Sequence, residues 1–194
     1  MSGETTQTPV GECIKALRER AGLTLQQLAD RTGYTSALLN QVENHLVSPP
    51  LGSLGTIAHA LEVSIGELWG EWAREPFALV RRDDRRQASR FASKEGVSYG
   101  YAYQSLGFGK KNRHLEPFVV TLEPPTVASR RASVHDGEEF LFVLSGRVEV
   151  TLSGHSDVLE PGDSIQYDAT LPHLVRCAGD EPAQILAVIW SPGE

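Results

Sequence analysis

The sequence predicts a two-domain α plus β protein, with five short helices followed by an antiparallel jelly-roll β-barrel. Its 194 residues suffice for two small domains. Residues 11–72 place apolar side chains at helical spacing with few β-branched runs, whereas 97–191 break into short alternating Val, Phe, Tyr and Leu runs punctuated by Gly and Pro. The expected boundaries are a disordered tail over 1–10, a helical domain over 11–72, a connector over 73–96 and the β domain over 97–192.

Within the helical part, Ile14, Leu17 and Ala21 share one helix face, and Gly22 offers a left-handed cap. Thr24 followed three residues later by Gln27 forms a capping box that opens a second helix over 25–31, with Leu28 and Ala29 inward and Gly33 closing it. Thr35 is the expected N-cap of a third helix from 36 to about 44, with Leu38, Leu39 and Val42 inward. Two helices joined by a short Gly-containing turn make a helix-turn-helix, whose second helix can enter the DNA major groove.

The wording of this segment is specific. The run LRERAGLTLQQLADRTG over 17–33, then Gln41 to Asn44, then Leu54, Ile57, Ala58, Ala60, Leu61, Val63 and Leu68 resembles the Xre or phage-repressor (lambda-repressor-like) type of helix-turn-helix. That resemblance implies that exposed residues of the third helix, here Ser36, Ala37, Asn40 and Gln41, meet base edges of a double-stranded DNA operator. Gln41 and Asn40 carry the paired amide donor and acceptor suited to adenine, and Ala37 suits a thymine methyl. Thr24, Gln26, Thr35, Asn44 and His45 are the candidates for phosphate contacts. Between Gly11 and Glu75 five basic residues face eight acidic ones. Because phosphate contacts dominate DNA affinity, a reader helix without Arg or Lys is expected to bind weakly unless a second copy contributes.

For the β domain, strands are expected near 98–106, 117–123, 128–135, 139–145, 147–152, 163–167, 173–177 and 184–191. At one strand-turn-strand junction His135 and Glu139 stand four residues apart, and His173 follows in a later strand-like run. Two histidines and one carboxylate suit a divalent transition metal with open coordination positions, with iron, zinc, nickel and manganese as candidates. His155 falls between two strand-like runs and reads as a hairpin turn residue.

These segments resemble the cupin family. Its first motif, G-x5-H-x-H-x3-E-x6-G, is kept at His135, Glu139 and Gly146, with Ser133 where the first His stands. Its second motif is kept at Pro161, Gly162 and His173, with Cys177 at the Asn position. The resemblance implies a jelly-roll cavity that either holds a metal or has lost it and binds a small molecule. Side chains alternate across a strand, so an inward Glu139 brings Leu141 and Val143 inward and turns Phe140, Phe142 and Leu144 outward, to a face that a partner subunit would cover. Tyr101, Tyr103, Arg131 and Ser133 are the candidate effector-binding residues, the arginine because its planar fork pairs with carboxylates.

Composition limits what such a molecule does. The formal net charge of -7 argues against indiscriminate polyanion binding. Cys13 and Cys177 fall one in each domain and give no disulfide framework, so a reducing cytoplasm is the expected setting. The first ten residues lack the regions of a secretion signal, and no apolar run approaches bilayer length, so no membrane partner is expected.

Two function classes remain open at this stage. A helix-turn-helix followed by a small cupin resembles bacterial one-component regulators, homodimers in which the barrel senses a metabolite and the helices bind an operator. The same order, with Tyr101, Tyr103, His135, Glu139 and His173 in matching wording, is similar to the iron-dependent hydroxypropylphosphonate epoxidase family. The lysine which that family uses near its helix-turn-helix is not matched in the loop Ala21, Gly22, Leu23.

Overall fold

The computed structural model describes residues 10–47, 49, 51–69, 75–85, 87–90, 101–111, 113–124 and 132–190, with backbone only for 69 and 87–90. Four α-helices come first: α1 (Val10–Arg20), α2 (Leu25–Thr32), α3 (Ser36–Glu43) and α4 (Leu51–Ala60). Their starts and stops obey the local chemistry. The Thr24 side chain accepts from Gln27 N while the Gln27 side chain accepts from the Thr24 backbone N–H, completing the capping box, and Gly33 closes α2 in the left-handed conformation. Thr35 caps α3 by accepting from Leu38 N. Ile14, Leu28, Leu39, Val42, Leu54, Ile57 and Leu68 form the shared core, each at most 1% exposed. Leu38, expected inward, is half-buried instead.

Among the described residues a fifth α-helix does not form, and Ile65–Trp69 is a 3-10 helix. Glu67 accepts from the backbone and hydroxyl of Ser64, at 2.9 and 3.0 Å, and so caps a segment that is only five residues long and contains Gly66. The tail also begins its structure earlier than expected, because Val10 opens α1 and is 2% exposed.

One polar contact holds the bundle from inside. Arg18 of α1 donates to Glu43 of α3 through Nε at 2.6 Å and Nη2 at 2.9 Å, and its Nη1 donates to the Leu23 carbonyl at 2.8 Å. The guanidinium fork and the carboxylate are therefore paired in parallel, the geometry that favours Arg over Lys.

Among the described residues the β domain has nine strands: β1 (Gln87–Arg90), β2 (Tyr101–Ser105), β3 (Leu115–Leu122), β4 (Glu138–Ser145), β5 (Val148–Leu152), β6 (His155–Leu159), β7 (Ser164–Asp168), β8 (His173–Cys177) and β9 (Ala183–Trp190). They form a six-stranded sheet in the order β1-β2-β3-β9-β4-β7 and a three-stranded sheet in the order β6-β5-β8. Every pairing between these strands is antiparallel. Strand β1 lies inside the stretch expected to be a connector, and His155 opens β6 opposite Leu152, the turn itself being Ser153 and Gly154 at positive φ.

The expected closed barrel is replaced, among the described residues, by two facing sheets. Both edges of β4 are taken, one by β9 and the other by β7, so the chain leaving β4 cannot add β5 alongside it. It turns at Gly146, φ +74°, where a Cβ would stand 2.6 Å from Ala183 Cα, and β5 enters the opposite sheet between β6 and β8. Ser133, ahead of β4, bridges to His173 at the start of β8 through backbone hydrogen bonds of 2.7 and 3.0 Å. Half of the expected strand over 128–135 lies outside the described residues, and Ser133 of the other half forms an isolated bridge.

The alternation is as expected. Leu141, Val143, Phe118, Val120, Ile185 and Ile189 are buried between the sheets, while Phe140, Phe142, Val188 and Trp190 face out.

Candidate metal centre and nucleic-acid interface

Two strands and one loop deliver the donors. His135 sits at the entry to β4, held by its backbone N–H to the Ala169 carbonyl at 3.0 Å. Glu139 points inward from β4 opposite Tyr167 of β7, and His173 opens β8 and is locked to Ser133 from both backbone sides. His135, Glu139 and His173 each place one ligand atom within 4.8 Å of the others. Glu139 Oε1 lies 2.9 Å from His135 Nε2 and 3.6 Å from His173 Nε2. Donors bound to one ion at about 2.1 Å stand roughly 3 to 3.5 Å apart, so these separations suit a shared metal.

Hydrogen bonding fixes which nitrogen of each ring faces the centre. Nδ1 of His135 lies 3.0 Å from the Asp136 carbonyl and Nδ1 of His173 lies 2.9 Å from the Leu171 carbonyl, so both present Nε2 inward. His173 Nε2 is buried and has no hydrogen-bond partner, the orphaned acceptor that a metal would satisfy. Tyr167 donates its hydroxyl to Glu139 Oε2 at 2.5 Å and leaves Oε1 turned to the histidines.

The titration behaviour follows from these contacts. Burial lowers the His135 pKa, but the hydrogen bond and charge of Glu139 outweigh it and the net direction is upward. For His173 burial prevails over the Glu139 charge, and its pKa falls. Burial opposes the charged form of Glu139 too, yet the His135 hydrogen bond, the nearby imidazoles and the Tyr167 hydroxyl carry it below its ordinary value. Without metal these directions favour a proton on His135 over one on His173 beside an ionised Glu139, and a metal must displace any proton held on His135.

A cavity of about 40 Å³ opens beside the donors, far below the roughly 300 Å³ or more of a pocket for a drug-sized ligand. Tyr101, Tyr103 and Ser133, the effector-binding candidates of the sequence, line it. The tyrosine hydroxyls are already engaged, however, Tyr101 donating to the Val175 carbonyl at 2.7 Å and Tyr103 to the Pro49 carbonyl at 2.9 Å. Burial and the Glu139 charge push the Tyr101 phenol up to about 12. Arg131 lies outside the described residues.

Sequence reasoning missed Tyr167, Leu51 and Gly52. Tyr167 becomes visible only with the register of β7 against β4. Leu51 and Gly52 belong to the helical domain yet line the cavity, a long-range contact with no local signal.

In the helical domain, Ala37, Asn40 and Gln41 are exposed on one face of α3 at spacings that bring them together. Ser36 is half-buried and donates its hydroxyl to Gln26 Oε1 at 2.8 Å, and Gln26 donates in turn to Asp30 at 2.8 Å. Thr24 and Thr35 are exposed but serve as helix caps. Asn44 donates its side-chain amide to the Asn40 carbonyl at 2.8 Å, and half-buried His45 lies 3.8 Å from Glu12.

The family models for a helix-turn-helix and for a cupin domain match residues 14–68 and 118–189. The chain is 27% identical over 165 residues to the HTH-type transcriptional regulator PuuR of Escherichia coli (strain K12), covering 84% of each. It is 29% identical over 194 residues to (S)-2-hydroxypropylphosphonic acid epoxidase of Streptomyces wedmorensis, covering 95% of this chain and 97% of that protein. The Fe(II) form of that epoxidase superposes with a TM-score of 0.51 at 28% identity, over 93% of this chain and 97% of the other. An HTH_3 family transcriptional regulator from Vibrio cholerae shares the fold, with a TM-score of 0.63 at 24% identity over 95% of this chain and 96% of the other. The chain thus joins an Xre-like helix-turn-helix domain over 14–68 to a cupin domain over 118–189.

Proposed function

We propose that the chain is a DNA-binding transcription regulator whose cupin domain senses a small molecule through a divalent metal held by His135, Glu139 and His173. The observation that carries this reading is the face of α3, where Ala37, Asn40 and Gln41 stand exposed together on a helix capped and packed as a reader helix must be. Similarity to PuuR over both domains supports it. When bound, the metal supplies open coordination positions for the effector. The protein's own residues set the donors, exclude water and hold the His135 proton that the metal must displace.

The working unit is a homodimer in the cytoplasm. The outward face of the large sheet offers a groove lined by Leu115, Phe140, Val188 and Trp190, with Leu115 56% and Trp190 39% exposed, an apolar surface suited to a second copy. Dimerisation also compensates for the acidic balance of each reader module by joining two half-site contacts. Among the described residues no helix is long and apolar enough to cross a membrane.

Binding of the full-length protein to duplexes from its own promoter region, with and without added metal, tests this reading. Retarded operator with no retardation of scrambled duplex supports it, and absence of binding to any such duplex removes it. A metal-dependent oxidoreductase is the second reading, favoured by the donor set and by the similarity to the epoxidase. Among the described lining residues there is no lysine or arginine to hold a phosphonate. Oxygen uptake by the Fe(II)-loaded protein distinguishes the two.

A further inference from the structure

Helix α4 starts directly over the donor set. A Cβ built on Gly52 would stand 2.5 Å from His135 Nε2 and 3.2 Å from His173 Nε2. The side chain that Gly52 lacks would therefore fill the space on the metal-facing side of both imidazoles. Leu51 beside it lines the same cavity. Just ahead of the helix, the Pro49 carbonyl accepts from the hydroxyl of Tyr103, a cupin residue at 0% exposure. The crowding is confined to the first turn, since a Cβ on Gly55 of the same helix meets nothing within 4 Å.

The DNA-reading domain thus walls the cupin cavity. A cavity of about 40 Å³ holds little more than one water, whose share of liquid volume is about 30 Å³, and is too small for an ion with its open positions filled. Anything larger placed on the ion's open positions meets Leu51 and Gly52. From there a rigid route leads to the reader helix. Arg31 of α2 donates to the Ala60 carbonyl at the end of α4 at 3.1 Å, and Gln26 of α2 accepts from Ser36 at the start of α3. Leu28, Leu39, Leu54 and Ile57 fill the core that these helices share.

Building on the reading of the chain as a regulator with a metal-dependent cupin site, we propose that the first turn of α4 is a wall of that site. Occupancy by a metal ion and the small ligand on its open positions displaces Leu51 and Gly52 and so reorients the helix-turn-helix domain. A ligand shifts such an equilibrium only by its differential affinity for the two arrangements, and contact with the moving wall supplies that difference.

The test uses the full-length protein with Zn(II) as the probe, following affinity by calorimetry and amide exchange by mass spectrometry. Zinc is expected to speed exchange several-fold over residues 49–56 and to leave 148–159 unchanged. Gly52→Ala is expected either to weaken zinc binding at least tenfold or to speed exchange over 49–56 before zinc is added, whereas Gly55→Ala matches the wild type in both. Tyr103→Phe keeps the ring, removes the bond to Pro49, and is expected to speed exchange over 49–56 several-fold, which keeps the test open if Gly52→Ala fails to fold. Zinc binding without change over 49–56, with Tyr103→Phe as protected as wild type, overturns the proposal. Failure of the wild type to bind zinc overturns the metal reading instead. In that case unchanged protection of 49–56 in zinc-free Gly52→Ala and Tyr103→Phe overturns the wall independently.

Discussion

In the helix-turn-helix domain Arg18 and Glu43 bury their charges together and use them up, two parallel hydrogen bonds joining the pair and a third running to the Leu23 carbonyl. In the cupin domain His135, Glu139 and His173 are buried as deeply, with side chains 4 to 7% exposed, but His173 Nε2 is left without a partner. The first cluster closes on itself and joins α1 to α3. The second is incomplete, and an interior of low dielectric makes an unmet polar atom costly unless a ligand meets it. Saturation of the polar atoms, rather than depth of burial, separates a structural ion pair from a binding site.

The largest effect that can break this contrast is at Glu43. Glu43→Ala leaves Arg18 charged and unpaired in the core, and a loss of about 3 to 5 kcal/mol in folding stability is expected by denaturant titration. The double variant Arg18→Met with Glu43→Leu should recover most of that loss, as a closed structural pair allows. At the cupin cluster the order of effects reverses. His173→Ala gives up one hydrogen bond, from Nδ1 to the Leu171 carbonyl, along with an orphaned Nε2, so the metal-free protein should lose less stability than Glu43→Ala does, while zinc affinity in calorimetry falls by more than the roughly 10 to 100-fold typical of an outer hydrogen-bond partner. Tyr167→Phe, which frees Glu139 Oε2, should show a loss within that 10 to 100-fold range.

A pH series sharpens the comparison further. His135 has its pKa raised above 6.5, so its contribution to stability is present below that value and is lost as pH rises through the raised value. Glu139 has its pKa lowered below 4.5, so its contribution is present above that value and is lost as pH falls through the lowered one. Burial of neutral His173 opposes its protonation and removes stability as pH falls below 6.5. The stability difference between metal-free wild type and Glu139→Gln should therefore be largest between pH 4.5 and 6.5 and shrink on both sides. A difference constant from pH 4 to 8 would remove the assignment of a charged His135–Glu139 pair.

The smallest expected effect lies on the surface. Gln41→Ala should weaken operator binding by about 1 to 3 kcal/mol, the worth of a paired amide contact to adenine, and leave scrambled duplex nearly unchanged. Equal losses on both duplexes would assign Gln41 to the DNA backbone. Affinity should also fall less steeply with salt than for a basic repressor, because the module has few cations to displace counterions.

Much of this molecule is legible in local sequence. The capping box at Thr24 and Gln27, the cap at Thr35 and the stop at Gly33 are decided by side chains within a few residues, and all three form. Alternation in β4 predicts which of Glu139 and Phe140 faces in, because neighbouring side chains on a strand take opposite faces. The expected fifth helix is, among the described residues, a 3-10 segment over Ile65–Trp69 whose start is capped by Glu67 on Ser64, a local feature easily overlooked. Glu43 shows the limit. On the helix pattern it is one more acidic residue of a polar face, and only the approach of α1 turns it into a buried partner.

The sequence by itself determined the two domains, the helix-turn-helix, the inward face of β4 and the His135, Glu139 and His173 set, since each depends on spacing along one stretch of chain or on residue types with few uses. The tertiary structure alone decided that β4 fills both its edges and opens the barrel into two sheets, that Tyr167 holds Glu139, and that Gly52 and Pro49 of the helical domain close over the cupin cavity. Those outcomes depend on which distant segments compete for the same backbone hydrogen bonds and the same small volume, and no local pattern records the winner.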